Sequence, residues 1–96
     1  MRPTLNDKER AELSELVPSW RLAEDGKSIH RSFRFRDFSH AWGFMSRVAL
    51  LAETHGHHPD WSNMDNQVAI VLTTHDVDGL THKDVTLAVA IDGLLS

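Results

Sequence analysis

Trp61-Ser62-Asn63-Met64-Asp65-Asn66-Gln67-Val68-Ala69-Ile70-Val71-Leu72-Thr73-Thr74 is the stretch that decides the fold. A short strand begins near Trp61. The chain turns through Asn63-Met64-Asp65-Asn66, and a second strand returns over 67–74. Asn and Asp suit such a turn because they tolerate backbone conformations that most residues avoid. Successive side chains of a strand point to opposite faces. Val68, Ile70 and Leu72 therefore share one face, and Ala69, Val71 and Thr73 share the other. A strand apolar or β-branched on both faces is expected to be covered on both sides, or to lie centrally in a sheet that another subunit extends.

Working outward, a second hairpin lies upstream. Trp20 and Leu22 alternate with polar neighbours, Asp25-Gly26 supplies a tight turn, and the return strand runs over 27–36. Ile29, Phe33 and Phe35 fall on one face; His30, Ser32 and Arg34 fall on the other. Arg31 interrupts the apolar face, which puts it at a sheet margin or aims it at something functional. Between the hairpins, Phe38, Ala41, Trp42, Met45, Val48, Ala49 and Ala52 follow helical spacing, with Asp37 or Ser39 as cap. Phe44 and Leu51 form a second stripe. Trp20 and Trp42 are expected in the core. A first helix is expected over 6–17, with Asn6 and Glu9 in capping-box relation and Leu13, Leu16 and Val17 as its apolar stripe. Pro18 ends it. A last helix starts at Thr81 with Asp84 three residues on. It carries more apolar residues than one stripe needs, so part of it is expected to meet a partner. The order is α-β-β-α-β-β-α. The fold class is α+β, a four-stranded antiparallel sheet with helices packed on one face.

Composition narrows the functions. At 96 residues one domain spanning 1–96 is expected, with a single modest core. The net charge of −4 opposes phosphate-contacting nucleic-acid binding, and the cluster Arg31, Arg34 and Arg36 is short and followed by Asp37. No apolar run reaches the roughly 18 residues that span a bilayer. With no cysteine there is no disulfide framework and no thiolate metal site. The start, Met1-Arg2-Pro3-Thr4, lacks the apolar segment of a signal peptide. A cytoplasmic protein is expected, one that gains stability by oligomerising.

Three of the seven histidines crowd into His55-Gly56-His57-His58-Pro59-Asp60-Trp61. A helix is expected to end at Gly56, and Pro59 stops regular structure from resuming at once. His75 ends the strand that began at Gln67. Three readings compete. A metal site from His55, His57, His58 and His75 has suitable ligand types. It lacks an HExxH pattern, and adjacent histidines rarely both reach one ion. Solvated loop histidines are the bland reading. An acid–base site is the third: imidazole both gives and takes protons near neutrality. Glu53 can orient an imidazole from the helix end, where a carboxylate is otherwise unfavourable against the helix dipole. Trp61 can form a flat wall for a planar ring. No nucleophile stands out, so the chemistry implied is proton transfer without a covalent intermediate, such as a dehydration or isomerisation. Asp84 reads equally as a helix cap or as a site residue.

Glu53-x-x-x-His57-His58-Pro59-x-Trp61, then His75 and Asp84, resembles the signature of the pterin-4a-carbinolamine dehydratases. So do Ile29-x-Arg31-x-Phe33-x-Phe35-x-Asp37-Phe38 and Thr73-Thr74-His75 followed by Gly79-Leu80-Thr81. The resemblance covers 5–94. It implies loss of water from 4a-hydroxytetrahydropterins to give quinonoid dihydropterin, recycling the cofactor of aromatic amino-acid hydroxylases. It implies His57, His58 and His75 as catalytic residues, with Glu53, Trp61 and Asp84 supporting. It implies a pterin substrate, no metal and no organic cofactor. It also implies a homodimer joining two four-stranded sheets, often paired into a homotetramer through helices. Asp65 departs from the family pattern, which usually has an aromatic residue there. Lys83 stands where some relatives carry arginine and lacks its planar fork. Some members serve instead as dimerisation or coactivator modules of transcription factors. The intact histidine set separates the two readings, since a pure binding module does not require it.

Overall fold

In the computed structural model, α1 (Asp7–Leu16) begins where Asn6 and Glu9 cap each other's backbone N–H groups, at 2.8 and 2.9 Å. Residues 3–95 are described; Met1, Arg2 and Ser96, and with them both ends of the expected 1–96 domain, lie outside the described residues. The N–H of Leu5 bonds to the Leu80 carbonyl at 2.8 Å, which ties the approach to α1 against the loop before the last helix.

The hairpin β1 (Arg21–Leu22) and β2 (Ile29–Arg34) turns through Gly26, whose φ of +71° suits glycine. The helix α2 runs Phe38–His55, capped by the Asp37 carboxylate on the N–H of His40 at 2.8 Å. The second hairpin is β3 (Asp60–Met64) and β4 (Gln67–Leu72), closed by Asp65 and Asn66, with Asp65 at φ +52°. One turn of 3₁₀ helix, His75–Val77, leads to α3 (His82–Gly93), capped by Thr81 and Asp84. The element order is the expected one. The four strands form one antiparallel sheet in the order β1-β2-β4-β3.

The register decides which side chains face the helices. Ile29 opposes Leu72, Phe33 opposes Val68, and Ile70 opposes Trp61. These apolar residues meet Ala41, Phe44 and Val48 of α2 and Leu87, Ala88 and Ile91 of α3 in one core. Arg31 shares that face because it clamps α3 to the sheet. Its Nη1 donates to the Asp92 carboxylate at 2.6 Å, and its guanidinium lies 4.7 Å from the centre of the Phe33 ring. The buried Trp20 donates to the same Asp92 oxygen at 2.9 Å.

Two packing expectations are corrected. Trp42 is 57% exposed, not core; the buried residues of α2 are Ala41, Phe44, Val48 and Ala52. The buried face of α2 therefore takes Ala41, Val48 and Ala52 from one expected stripe and Phe44 from the other, while Phe38 and Trp42 face outward. Leu16 is exposed, so α1 buries Leu13 and the following Val17 without it. The strand β4 does lie between two others, yet its far face is open within one chain: Ala69 is exposed and Val71 only half-buried. No described helix is long and apolar enough to cross a membrane.

Candidate active site

The helix α2 stops because Gly56 takes a left-handed conformation, φ +61°. Its N–H then bonds back to the Glu53 carbonyl at 3.2 Å, and the next N–H, of His57, reaches the Ala52 carbonyl at 3.0 Å. This paired closure satisfies the last carbonyls of the helix and folds the chain back over its end. The two adjacent histidines leave that corner in different directions. His57 turns inward and is 9% exposed; its Nε2 lies 2.5 Å from Oδ1 of Asp84. The His58 side chain turns outward and is 66% exposed; its Nε2 lies 2.5 Å from Oε1 of Glu53.

The third imidazole arrives from the sheet. Beyond β4, Thr74 pairs with Gly79 as an isolated bridge, and the chain between them winds through the 3₁₀ turn. That turn starts at His75, whose Nε2 lies 3.1 Å from Oδ2 of Asp60, the first residue of β3. His57, His58 and His75 line one pocket of about 510 Å³, together with Thr74 and Lys83. The Lys83 ammonium donates to the Gly56 carbonyl at 3.2 Å and so braces the histidine corner from α3.

Asp84 is fully buried. It caps α3 by accepting from the N–H of Thr81 at 3.0 Å, and it holds His57 as well. The cap and the site contact are one carboxylate. Glu53 meets His58, not His57, and its place in the last turn of α2 follows from that pairing. The structure does not bring Trp61 to this pocket. The indole packs against the core and lines a separate, largely apolar depression of about 290 Å³ with Trp42, Met45 and Ala49. Asp60 is a participant without a sequence signal of its own, although it sits inside the histidine-rich motif. Thr74 is another. His55, the last residue of α2, does not line the pocket.

Each of the three imidazoles thus offers Nε2 to a carboxylate. A carboxylate partner favours the hydrogen on that nitrogen and orients the ring, leaving Nδ1 for other work. Among the described residues no three His, Asp or Glu side chains converge as a metal ion would need. The arrangement is three carboxylate-oriented imidazoles around one open pocket, one of them buried and two at the rim. Such a set can deliver and accept protons at several points of a small bound molecule.

The family model described as pterin 4 alpha carbinolamine dehydratase matches residues 3–94. A relative from Novosphingobium aromaticivorans, provisionally named pterin-4-alpha-carbinolamine dehydratase, is 54% identical over 91 residues, covering 95% of each chain. One from Rhizorhabdus wittichii with the same provisional name is 53% identical over 90 residues, covering 94% of this chain and 93% of the relative. The crystal structure of a transcriptional coactivator/pterin dehydratase from Brucella melitensis superposes with a TM-score of 0.92 at 36% identity, over 98% of this chain and 100% of that one. A pterin dehydratase-like protein described as a RuBisCO assembly factor shares the fold, with a TM-score of 0.69 at 23% identity over 79% of this chain and 88% of that one. This chain belongs to the pterin-4a-carbinolamine dehydratase family.

Proposed function

We propose that this chain is a 4a-hydroxytetrahydropterin dehydratase, acting by histidine acid–base catalysis and recycling the cofactor of aromatic amino-acid hydroxylases. The observation that carries the proposal is the convergence of His57, His58 and His75, each backed by a carboxylate, on one pocket. The substrate holds a hydroxyl on a ring carbon beside a ring nitrogen. An acid protonates the hydroxyl oxygen, the carbon–oxygen bond breaks, and water departs. A base takes the N–H proton, whose electron pair becomes the new carbon–nitrogen double bond. Each assisted transfer is typically worth ~10²–10⁴-fold. His58 and His75 stand at different points of the rim and would serve hydroxyls on different ring faces. Glu53, Asp60 and Asp84 act through the imidazoles. Trp61 lies outside the lining of this pocket.

The proposal extends to one functional domain over 1–96, a cytoplasmic location, consistent with a chain free of cysteine, and a homo-oligomer. The second reading, a dimerisation or coactivator module, draws support from Phe38, Trp42 and Leu50, which α2 exposes to solvent. Turnover of a 4a-hydroxytetrahydropterin by the purified protein, followed by absorbance without added metal, tests the two against each other. Turnover is expected, and a chelator is expected to leave it unchanged. A folded protein with no turnover would favour the binding module; activity lost with the chelator and restored by zinc would overturn the metal-free mechanism.

A further inference from the structure

We propose that Thr74 is a positioning residue: through Asp84, its hydroxyl fixes the tautomer of His57 in which Nε2 carries the hydrogen and Nδ1 is the nitrogen offered to the substrate. The consequence for turnover rests on the dehydratase reading; the tautomer rests on geometry alone.

Thr74 is 2% exposed, and Thr81 and Asp84 are fully buried, so every polar atom among them needs a partner inside the protein. A hydroxyl has one hydrogen to give. That of Thr74 goes to Oδ2 of Asp84, at 2.8 Å. The 2.8 Å contact between the Thr74 and Thr81 hydroxyls must then use the hydrogen of Thr81. The Thr81 oxygen in turn accepts from the N–H of Lys83 at 3.2 Å. The hydrogens therefore run in one direction, from the first turn of α3 through two hydroxyls to Asp84. Its Oδ2 also takes the Thr81 N–H, which leaves Oδ1 facing Nε2 of His57 at 2.5 Å. With no hydrogen on Nε2, two lone pairs would confront each other at that distance.

The other ring nitrogen has a different fate. Nδ1 of His57 has no protein partner among the described residues, and none of their unpartnered polar side-chain atoms is buried. Nδ1 is therefore the atom through which the nearly buried ring reaches the pocket. Without the Thr74 hydroxyl, Oδ2 loses one of its two donors and the Thr81 hydroxyl loses its acceptor. Asp84 is then free to turn, and His57 to exchange its hydrogen between nitrogens.

The test compares the full-length wild type with Thr74→Val, which keeps the shape without the hydroxyl, and Thr74→Ser, which keeps the hydroxyl. The ¹⁵N shifts of the neutral His57 ring report the tautomer directly. The wild type and Thr74→Ser are expected to show a single Nε2–H form, and Thr74→Val a mixture. Turnover of Thr74→Val is expected to fall by roughly ten-fold or more, with KM changed by less than about two-fold, and Thr74→Ser to recover it. Hydrogen on Nδ1 in the wild type overturns the proposal whether or not the valine variant folds. So does a folded Thr74→Val with the wild-type tautomer and turnover, or a serine variant as impaired as the valine one. A wild type with no dehydratase activity, but whose Nε2–H form is lost in Thr74→Val, would defeat the dehydratase reading and leave the positioning role standing.

Discussion

His57 and His58 are neighbours in sequence and opposites in environment, one nearly buried against Asp84 and the other exposed beside Glu53. That difference shapes what each substitution should do. His57→Ala and His75→Ala are expected to lower turnover by roughly ten-fold or more, the low end for a lost acid or base. His58→Ala should act unequally on the two 4a-hydroxyl stereoisomers, because its side chain leaves the corner in a different direction from His57. His30→Ala and His40→Ala should leave turnover unchanged: His30 lies on the open sheet face, and His40 packs on Phe35 at 5.0 Å. Rates with each isomer, beside a thermal melt, check all of these; folded His57→Ala and His75→Ala proteins with full activity would sink the acid–base assignment. At this scale the histidines, Glu53 and Asp84 were legible because their spacing in the chain is distinctive. Asp60 and Thr74 were not, since what they do depends on β3 and the 3₁₀ turn meeting in space. Trp61 was misplaced for the converse reason. Being adjacent to the motif in sequence, it still projects to the helix side of the sheet, away from the pocket.

Among the elements, α2 carries the corner that aims the histidines, and its two ends make separate predictions. At the C-terminal end, Gly56→Ala meets no atom within 4 Å of the added Cβ, so only the left-handed backbone resists it. A loss of about 1 kcal/mol is expected. The melting temperature should fall, and turnover should fall with it as His57 and His58 shift. Unchanged turnover would mean that the corner does not aim them. At the N-terminal end, the His40 N–H, and more weakly Arg36, hold the Asp37 carboxyl below its ordinary range. The Asn6 N–H, and more weakly His82, do the same for Glu9 at the start of α1. A carboxylate whose folded pKa is lowered contributes stability above its ordinary value and loses that contribution as pH falls through the lowered one. Both caps should therefore weaken on the acid side, and Asp37→Asn, which retains an acceptor oxygen, should flatten that part of the pH dependence. Melts from pH 6 to pH 3 decide it. The helix itself was plain in the sequence, but its inward face was not. Two apolar stripes wrap α2, and hydropathy cannot say which members turn inward; packing draws on both, because Ala41 and Ala52 let the helix approach the sheet and Phe44 and Val48 fill the space between.

Across the whole molecule, the sheet has helices on one side only, and the apolar residues left outside mark where one chain stops being sufficient. Phe38 and Trp42 stack at 6.1 Å on the outer face of α2, and Leu50, 69% exposed, lies farther along the helix. A monomer seldom leaves such a patch in water. The architecture was legible from the hairpins and helical periods, which are local. Phe38 and Trp42 share an expected stripe with the buried Ala41, Val48 and Ala52, and sequence alone does not separate the part that packs within a chain from the outward part suited to packing between chains. The proposed homo-oligomer makes that stripe an interface, and it can be tested without reference to catalysis. The wild type is expected to sediment as a dimer or tetramer at micromolar concentration. Trp42→Glu places a charge on the stripe and removes none of the buried side chains, so it should shift the protein to a smaller species at nearly the wild-type melting temperature. A wild type that sediments as a monomer would remove the assembly from the proposal. A Trp42→Glu variant that keeps the wild-type size would move the interface off α2, to the open sheet face or its edge strands.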